Sequence, residues 1–249
     1  MILKNISVDC VIFGFSGDKL KVLLWQAEPE ILENFLTTRE EYEEIKFLFE
    51  KNPALNETND YWGLIGTHLP IEEDLDTYAR KILQVTTGLD EVYLTQVKTF
   101  GTTKRVPHYR VVTIAYYALI NPAYHDLKQS TLAKSVKWFD IDQLPKMLFD
   151  HIDVINTALD TLREQVKYHP VGFHLLPDKF TLTELQTLYE VILGSKLDTR
   201  NFRKKILKMG LLVDTMEKQT NVAHRAAKLY SFDLNIYKRL TKEGLNFSI

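Results

Sequence analysis

Apolar and polar positions change period several times along the chain, and each change marks an element. Val8-Asp9-Cys10-Val11-Ile12-Phe13-Gly14-Phe15 and Leu20-Lys21-Val22-Leu23-Leu24 are short runs rich in β-branched and aromatic residues, separated by Ser16-Gly17-Asp18. They predict two strands joined by a turn. Residues 92–100 and 111–120 share that composition and are expected as strands. Around Ile152, Ile155, Ala158, Leu159 and Leu162 the spacing becomes three and four, the mark of an amphipathic helix. Tyr168-His169-Pro170-Val171-Gly172 interrupts it and is taken as a linker, giving two domains, 1–168 and 169–249. Residues 27–61 are acidic and lack the strand rhythm around them. We read them as an insertion, with a helix over 37–50 begun by a Thr38/Glu41 capping box.

After the linker the pattern predicts helix, turn, helix and hairpin. Leu182, Leu185, Leu188, Tyr189 and Ile192 share one face of a helix behind Thr181 as cap. Residues 194–198 form a turn, and Asp198 caps a second helix over 199–209. There Phe202, Ile206 and Met209 share a face, and Arg200, Arg203, Lys204 and Lys208 point away from it. Gly210 ends that helix, and 211–214 with 228–232 are expected as two strands joined by a polar connection. This is the order of a winged helix-turn-helix. A helix apolar on one face and cationic on the other suits a major groove. Arginine bridges guanine O6 and N7, asparagine bridges adenine N6 and N7, and lysine neutralises phosphates. The expected partner is double-stranded DNA, contacted by Arg200, Asn201, Arg203, Lys204, Lys205, Lys208, His224, Arg225 and Lys228.

Composition narrows the class. A chain of 249 residues, 45% hydrophobic and 26% charged, has room for an ordinary domain plus a small one. Cys10 is the only cysteine, which excludes a disulfide or zinc framework. No apolar run approaches a membrane span and Asp9 breaks the early apolar stretch, so a cytoplasmic protein with no membrane partner is expected. The net charge of −2 conceals an asymmetry: residues 173–249 carry 13 Lys and Arg against 8 Asp and Glu. The rest of the chain is acidic, the balance expected of an acidic domain joined to a DNA-binding one.

Residues 62–89, WGLIGTHLPIEEDLDTYARKILQVTTGL, resemble the Nudix box, a loop–helix–loop with the pattern G-x5-E-x7-R-E-U-x-E-E-x-G-U. Anchored on Gly88-Leu89, Glu73 takes the first glutamate, Lys81 the arginine, Thr67 the opening glycine, and Ile82, Val85 and Thr86 the three helix glutamates. Anchored on Gly66, Glu72 and Arg80 match, and Lys81, Gln84 and Val85 replace the glutamates. In either frame the carboxylates that a hard cation requires on one helix face are missing. An inactive box is therefore expected: no enzyme, no cofactor and no metal.

The strings FGF, RVV-x-IAYYAL, FDH, P-x-GF-x-LLP, FTL-x-x-LQ-x-LYE and RNFRK extend the resemblance over most of the chain. Their order is similar to that of the Nudix-related transcriptional regulators, most of all the arabinose-responsive regulators of Bacteroidetes. The resemblance implies an α+β chain: a Nudix α/β/α sandwich with a mixed sheet, then a C-terminal winged helix. It implies a homodimer that represses a sugar-utilisation operon and responds to a small-molecule effector, a sugar or sugar derivative. The alternatives are a hydrolase of ADP-ribose or a related nucleoside diphosphate, and an ADP-ribose-sensing regulator of NAD genes. Candidate ligand contacts are Trp62, Glu73, Arg105, His108 and Arg110. Arg105, Pro107 and Arg110 match the subgroup's arginine–proline–arginine loop, whereas Lys104, Val106 and His108 depart from it and leave the ligand class open.

Overall fold

A computed structural model describes residues 2–16, 18–26, 62–88, 92–106, 110–124, 136–220, 226–245 and 247–249. The expected 27–61 insertion lies outside these residues. The chain divides into two compact units, Met1–Gly14 with Lys21–Leu159 and Phe15–Leu20 with Asp160–Ile249.

The first unit is built on a seven-stranded mixed sheet. Its strands are β1 (Ile2–Ser16), β2 (Lys19–Gln26), β3 (Trp62–Gly63), β4 (Ile65–Pro70), β5 (Tyr93–Phe100), β6 (Val112–Ile120) and β7 (Val136–Asp140). The order is β3-β2-β1-β6-β5, with β4 on β1 and β7 on β2. β1 and β6 run parallel, from Ile6 opposite Val112 to Gly14 opposite Ile120. Both faces of β1 are covered, which explains its nearly continuous apolar run. Val8, Cys10 and Ile12, with Ile114, Tyr116, Ala118 and Ile120, meet Tyr78, Ala79, Ile82 and Leu83 of helix α1 (Leu75–Thr87). Gly88 ends α1 in the left-handed region, φ 72°, a conformation that costs glycine little. Alternate β1 residues face the other way, and α2 (His151–Tyr168) begins there, with His151 Nε2 3.7 Å from Asp9 Oδ2.

The second unit holds the later part of α2, then α3 (Leu182–Leu193), α4 (Thr199–Lys208), β8 (Leu212–Lys218), β9 (Lys228–Phe232) and α5 (Leu234–Lys242). Thr181 and Glu184 close a full capping box on α3, and Asp198 Oδ1 accepts from Asn201 N at 2.8 Å to start α4. β8 and β9 pair antiparallel, and Phe180 adds a bridge to Tyr230 on the far side of β9. The stretch expected as a linker is instead a 3-10 helix, Pro170–Leu175, with Pro170, Val171, Gly172, Phe173 and Leu175 buried. Proline and glycine there break the α-helix without exposing the chain, because Phe173 stacks on Phe232 at 4.3 Å.

Candidate functional site

The polar face of the first unit is a buried charge network. Arg105 Nε donates to Asp150 Oδ2 at 3.0 Å and Nη2 to Oδ1 at 2.8 Å, a bidentate pair with the arginine side chain 3% exposed. Arg105 Nη1 also donates to the Thr113 hydroxyl, which shares a 2.7 Å hydrogen bond with Ser7. One residue beyond Asp150, His151 Nδ1 accepts from Leu64 N at 3.0 Å. That bond needs the Nδ1 lone pair, so it favours the neutral ring. Burial acts in the same direction and lowers the imidazole to about 4. Burial pushes Asp9 up to about 7, partly offset by the charge of Arg105. Gly66 is required beside it, since a Cβ there would lie 2.2 Å from Asp9 Oδ1. Phe149, just before Asp150 and His151, has φ 46°, a left-handed backbone that persists only where its surroundings hold it.

The expected ligand residues differ in exposure and in the contacts they make. Arg105 has its guanidinium engaged by Asp150 and Thr113. Arg110 is exposed, and its Nη1 donates to the carbonyls of Gly101 at 2.6 Å and Thr102 at 3.0 Å. Trp62 is buried edge-on to Phe139 at 4.7 Å, and Lys137 Nζ lies 5.5 Å from its ring centroid. Glu73 pairs with Lys81 across the start of α1 at 2.9 Å. His108 lies outside the described residues.

The donor set of the box does not fit a divalent metal. Ile82 is fully buried in the core under the sheet, and Val85 packs against the same cluster. In the frame anchored on Gly88, apolar carbons therefore occupy positions where carboxylate oxygens would have to stand. In the frame anchored on Gly66 the buried Ile82 takes the aliphatic position, and Lys81, Gln84 and Val85 still bring no carboxylate. Asp76, on the same helix, accepts from the Tyr116 hydroxyl at 2.5 Å.

In the second unit the basic helix is placed as expected, with one exception. Arg200, Asn201, Lys204, Lys205 and Lys208 are exposed, while Phe202 and Ile206 are buried. Arg203 was expected on the outer face but is half-buried, with Nη2 donating to Thr183 Oγ1 at 3.0 Å. Helical spacing places it at the margin of the apolar face, and the neighbouring α3 supplies an acceptor that spacing alone does not reveal. Lys228 is exposed and paired with Asp214 at 2.8 Å. His224 and Arg225 lie outside the described residues. Sequence reasoning missed the brace behind α4. Gln186 Nε2 donates to Glu190 Oε1 at 2.9 Å and Thr199 Oγ1 at 3.0 Å, while Glu190 accepts from Leu197 N at 3.1 Å and Lys196 Nζ at 2.7 Å. A glutamine and a glutamate one turn apart, just before a turn, are the sequence signal for it.

A family model of the NrtR DNA-binding winged helix domain matches residues 172–232. The ADPR responsive transcriptional repressor NtrR of Acinetobacter baylyi is 38% identical over 184 residues, covering 71% of this chain and 72% of the relative. The crystal structure of Shewanella oneidensis NrtR complexed with a 27mer DNA superposes with a TM-score of 0.75 at 27% identity, covering 97% of each chain. A MutT/nudix family protein from Enterococcus faecalis, 20% identical, shares the fold with a TM-score of 0.63 over 94% of this chain and 88% of its own.

Proposed function

The chain belongs to the NrtR family, in which a Nudix-type domain is joined to a DNA-binding winged helix, and on that premise we propose that it is an ADP-ribose-responsive transcriptional repressor. The observation that carries this reading is the 38% identity to a repressor named for its response to ADP-ribose. The matched share, 71% of this chain, is longer than either compact unit and so takes in parts of both. The sugar effector and sugar-utilisation operon expected from the arabinose branch give way to ADP-ribose, because the 38% identical repressor is named for its response to ADP-ribose. Among the described residues of the expected set Arg110 is the exposed cation, and it is assigned the contact with a pyrophosphate. Arg105 acts from beneath, holding the sheet face and the start of α2. Hydrolysis has weaker support, since Ile82 and Val85 bring no oxygen to α1. The repressor works as a homodimer, its two winged helices set on a palindromic operator.

Isothermal titration of the full chain with ADP-ribose, with and without magnesium, tests the reading, together with release of bound operator DNA on adding ADP-ribose. Metal-independent binding that changes operator affinity is expected, because a ligand shifts the equilibrium only by its difference in affinity for the two states. Binding of arabinose but not ADP-ribose would restore the sugar reading. Magnesium-dependent consumption of ADP-ribose would restore the hydrolase.

A further inference from the structure

Three departures from an ordinary strand meet at Met216. First, the β8–β9 ladder pairs Asp214 with Tyr230 and Lys218 with Lys228, so three residues on β8 face a single residue on β9. Such a bulge re-aims a side chain out of the sheet. Second, Met216 has φ 59°, one of three non-glycine residues with positive φ among those described. Third, its side chain is 88% exposed, the most exposed large hydrophobic residue in the described chain. Left-handed backbone at a residue with a Cβ is strained and persists only where its surroundings hold it. Here Asp214 Oδ1 accepts from Met216 N at 2.9 Å, and Thr215 Oγ1 donates across the hairpin to Leu229 O at 2.9 Å. The charged neighbours are paired within the unit: Asp214 with Lys228 at 2.8 Å and Glu217 with Lys179 at 2.6 Å. The two acids beside the bulge are therefore neutralised, and the strand presents an unbranched apolar side chain there.

We propose that Met216 is an apolar DNA contact of the wing, entering the minor groove beside the major-groove segment read by α4. The proposal rests on the second unit being the DNA-binding one. Two observations favour DNA as the occupant. Met216 lies inside the span matched by the DNA-binding winged helix family, 172–232. The same unit carries the exposed cations Arg200, Lys204, Lys205 and Lys208 that draw a phosphate backbone to it. Minor-groove proteins use methionine among other apolar wedges to part base steps, which selects flexible pyrimidine–purine steps without hydrogen-bond readout. A methionine suits the task because its thioether chain adapts to an irregular surface.

The test uses the full chain and a duplex selected by the wild-type protein from a randomised library, with a scrambled duplex of equal length as reference. Met216→Ala and Met216→Gly should each weaken the selected duplex roughly tenfold, the scale of one lost apolar contact, and leave the scrambled duplex nearly unchanged. Met216→Leu should recover most of the loss. Met216→Gly also relieves the backbone, so a raised or unchanged melting temperature beside weakened binding separates contact from folding. 2-Aminopurine moved through the selected duplex should brighten at one step with wild type and stay dark with Met216→Ala. Wild-type affinity in Met216→Ala, while Lys204→Ala loses binding, overturns the wing contact and leaves the DNA-binding reading intact. Unchanged binding in both variants removes both readings. A shift in sedimentation without a shift in DNA affinity would make Met216 a protein contact and overturn the proposal.

Discussion

Arg105 shows how one residue type at one place in the sequence supports two roles that differ in free energy. As a ligand clamp its loss would weaken binding and leave folding alone. As found, its guanidinium neutralises Asp150 and holds Thr113, with the side chain almost fully covered. Arg105→Ala is therefore expected to destabilise the Nudix unit, by less than the about 3–5 kcal/mol of a fully buried pair because the Asp150 carboxylate keeps partial access to solvent. Urea unfolding of the variant measures this, and an unchanged midpoint with lost ADP-ribose binding would return Arg105 to the ligand site. Asp9 and His151, its neighbours in the network, make opposite contributions with pH. Asp9 is raised from 3.8 to about 7, so between those values the folded chain keeps a proton that the unfolded chain has released. Its contribution to stability falls as pH rises through that window and is constant above it. His151 is lowered from 6.5 to about 4, so its contribution falls as pH drops through that range. Asp9→Asn removes only the first effect. Relative to wild type, the variant should gain stability from about pH 4 to pH 7, by at most about 4 kcal/mol, then level off. Thermal unfolding across that range measures it, and parallel curves would mean that Asp9 titrates as an ordinary carboxylate.

At the scale of elements, the turn between α3 and α4 determines where the basic face points, and Glu190 holds that turn. Hydrogen bonds from Lys196, Gln186 and the Leu197 amide hold its carboxyl down at about 2. A depressed acid contributes stability above its unfolded value of 4.5 and loses it as pH falls through the folded value. Wild type should lose winged-helix stability over that acid range, and Glu190→Gln should show a flatter acid limb and a lower plateau at neutral pH. Circular dichroism in urea at several pH values reads both, and identical acid limbs would rule out Glu190 as the brace. The capping signals of this region were legible in the chain: Thr181, Asp198 and Gly210 stand where α3 and α4 begin and where α4 is left behind. Other elements were not. β3 and β4 are short, and Ile65–Pro70 alternates too weakly to show as a strand until β1 pairs with it. α5 is largely exposed, with only Ile236, Tyr237 and Leu240 half-buried, yet Asp233 as cap before those three was a readable start signal. The Nudix box was recognisable by its spacing. That Ile82 is locked in the core rather than facing a ligand is a tertiary fact, set by the partner sheet.

For the whole molecule, the uneven charge makes a prediction that neither unit makes alone. The chain is nearly neutral, with a net charge of −2, while 173–249 is basic and the remainder acidic. Long-range attraction of the whole chain to DNA is therefore weak, and affinity has to come from contacts close enough to release counterions. Each phosphate neutralised contributes about −0.9 to the slope of log K against log salt. Lys204 and Lys208 are exposed on α4, and among the described residues no partner competes with a phosphate for them. The double variant Lys204→Ala, Lys208→Ala should reduce the magnitude of that slope by roughly 2, equally on selected and scrambled duplexes. Asn201 differs, because an asparagine reads an adenine edge through a bidentate pair and carries no charge. Asn201→Ala should keep the slope and lose about 1–3 kcal/mol on the selected duplex alone. Fluorescence anisotropy over a salt series separates the two, since charge contacts change the slope and base contacts displace the line. If both variants change only the slope, α4 lies along the backbone, and base reading belongs to another part of the unit.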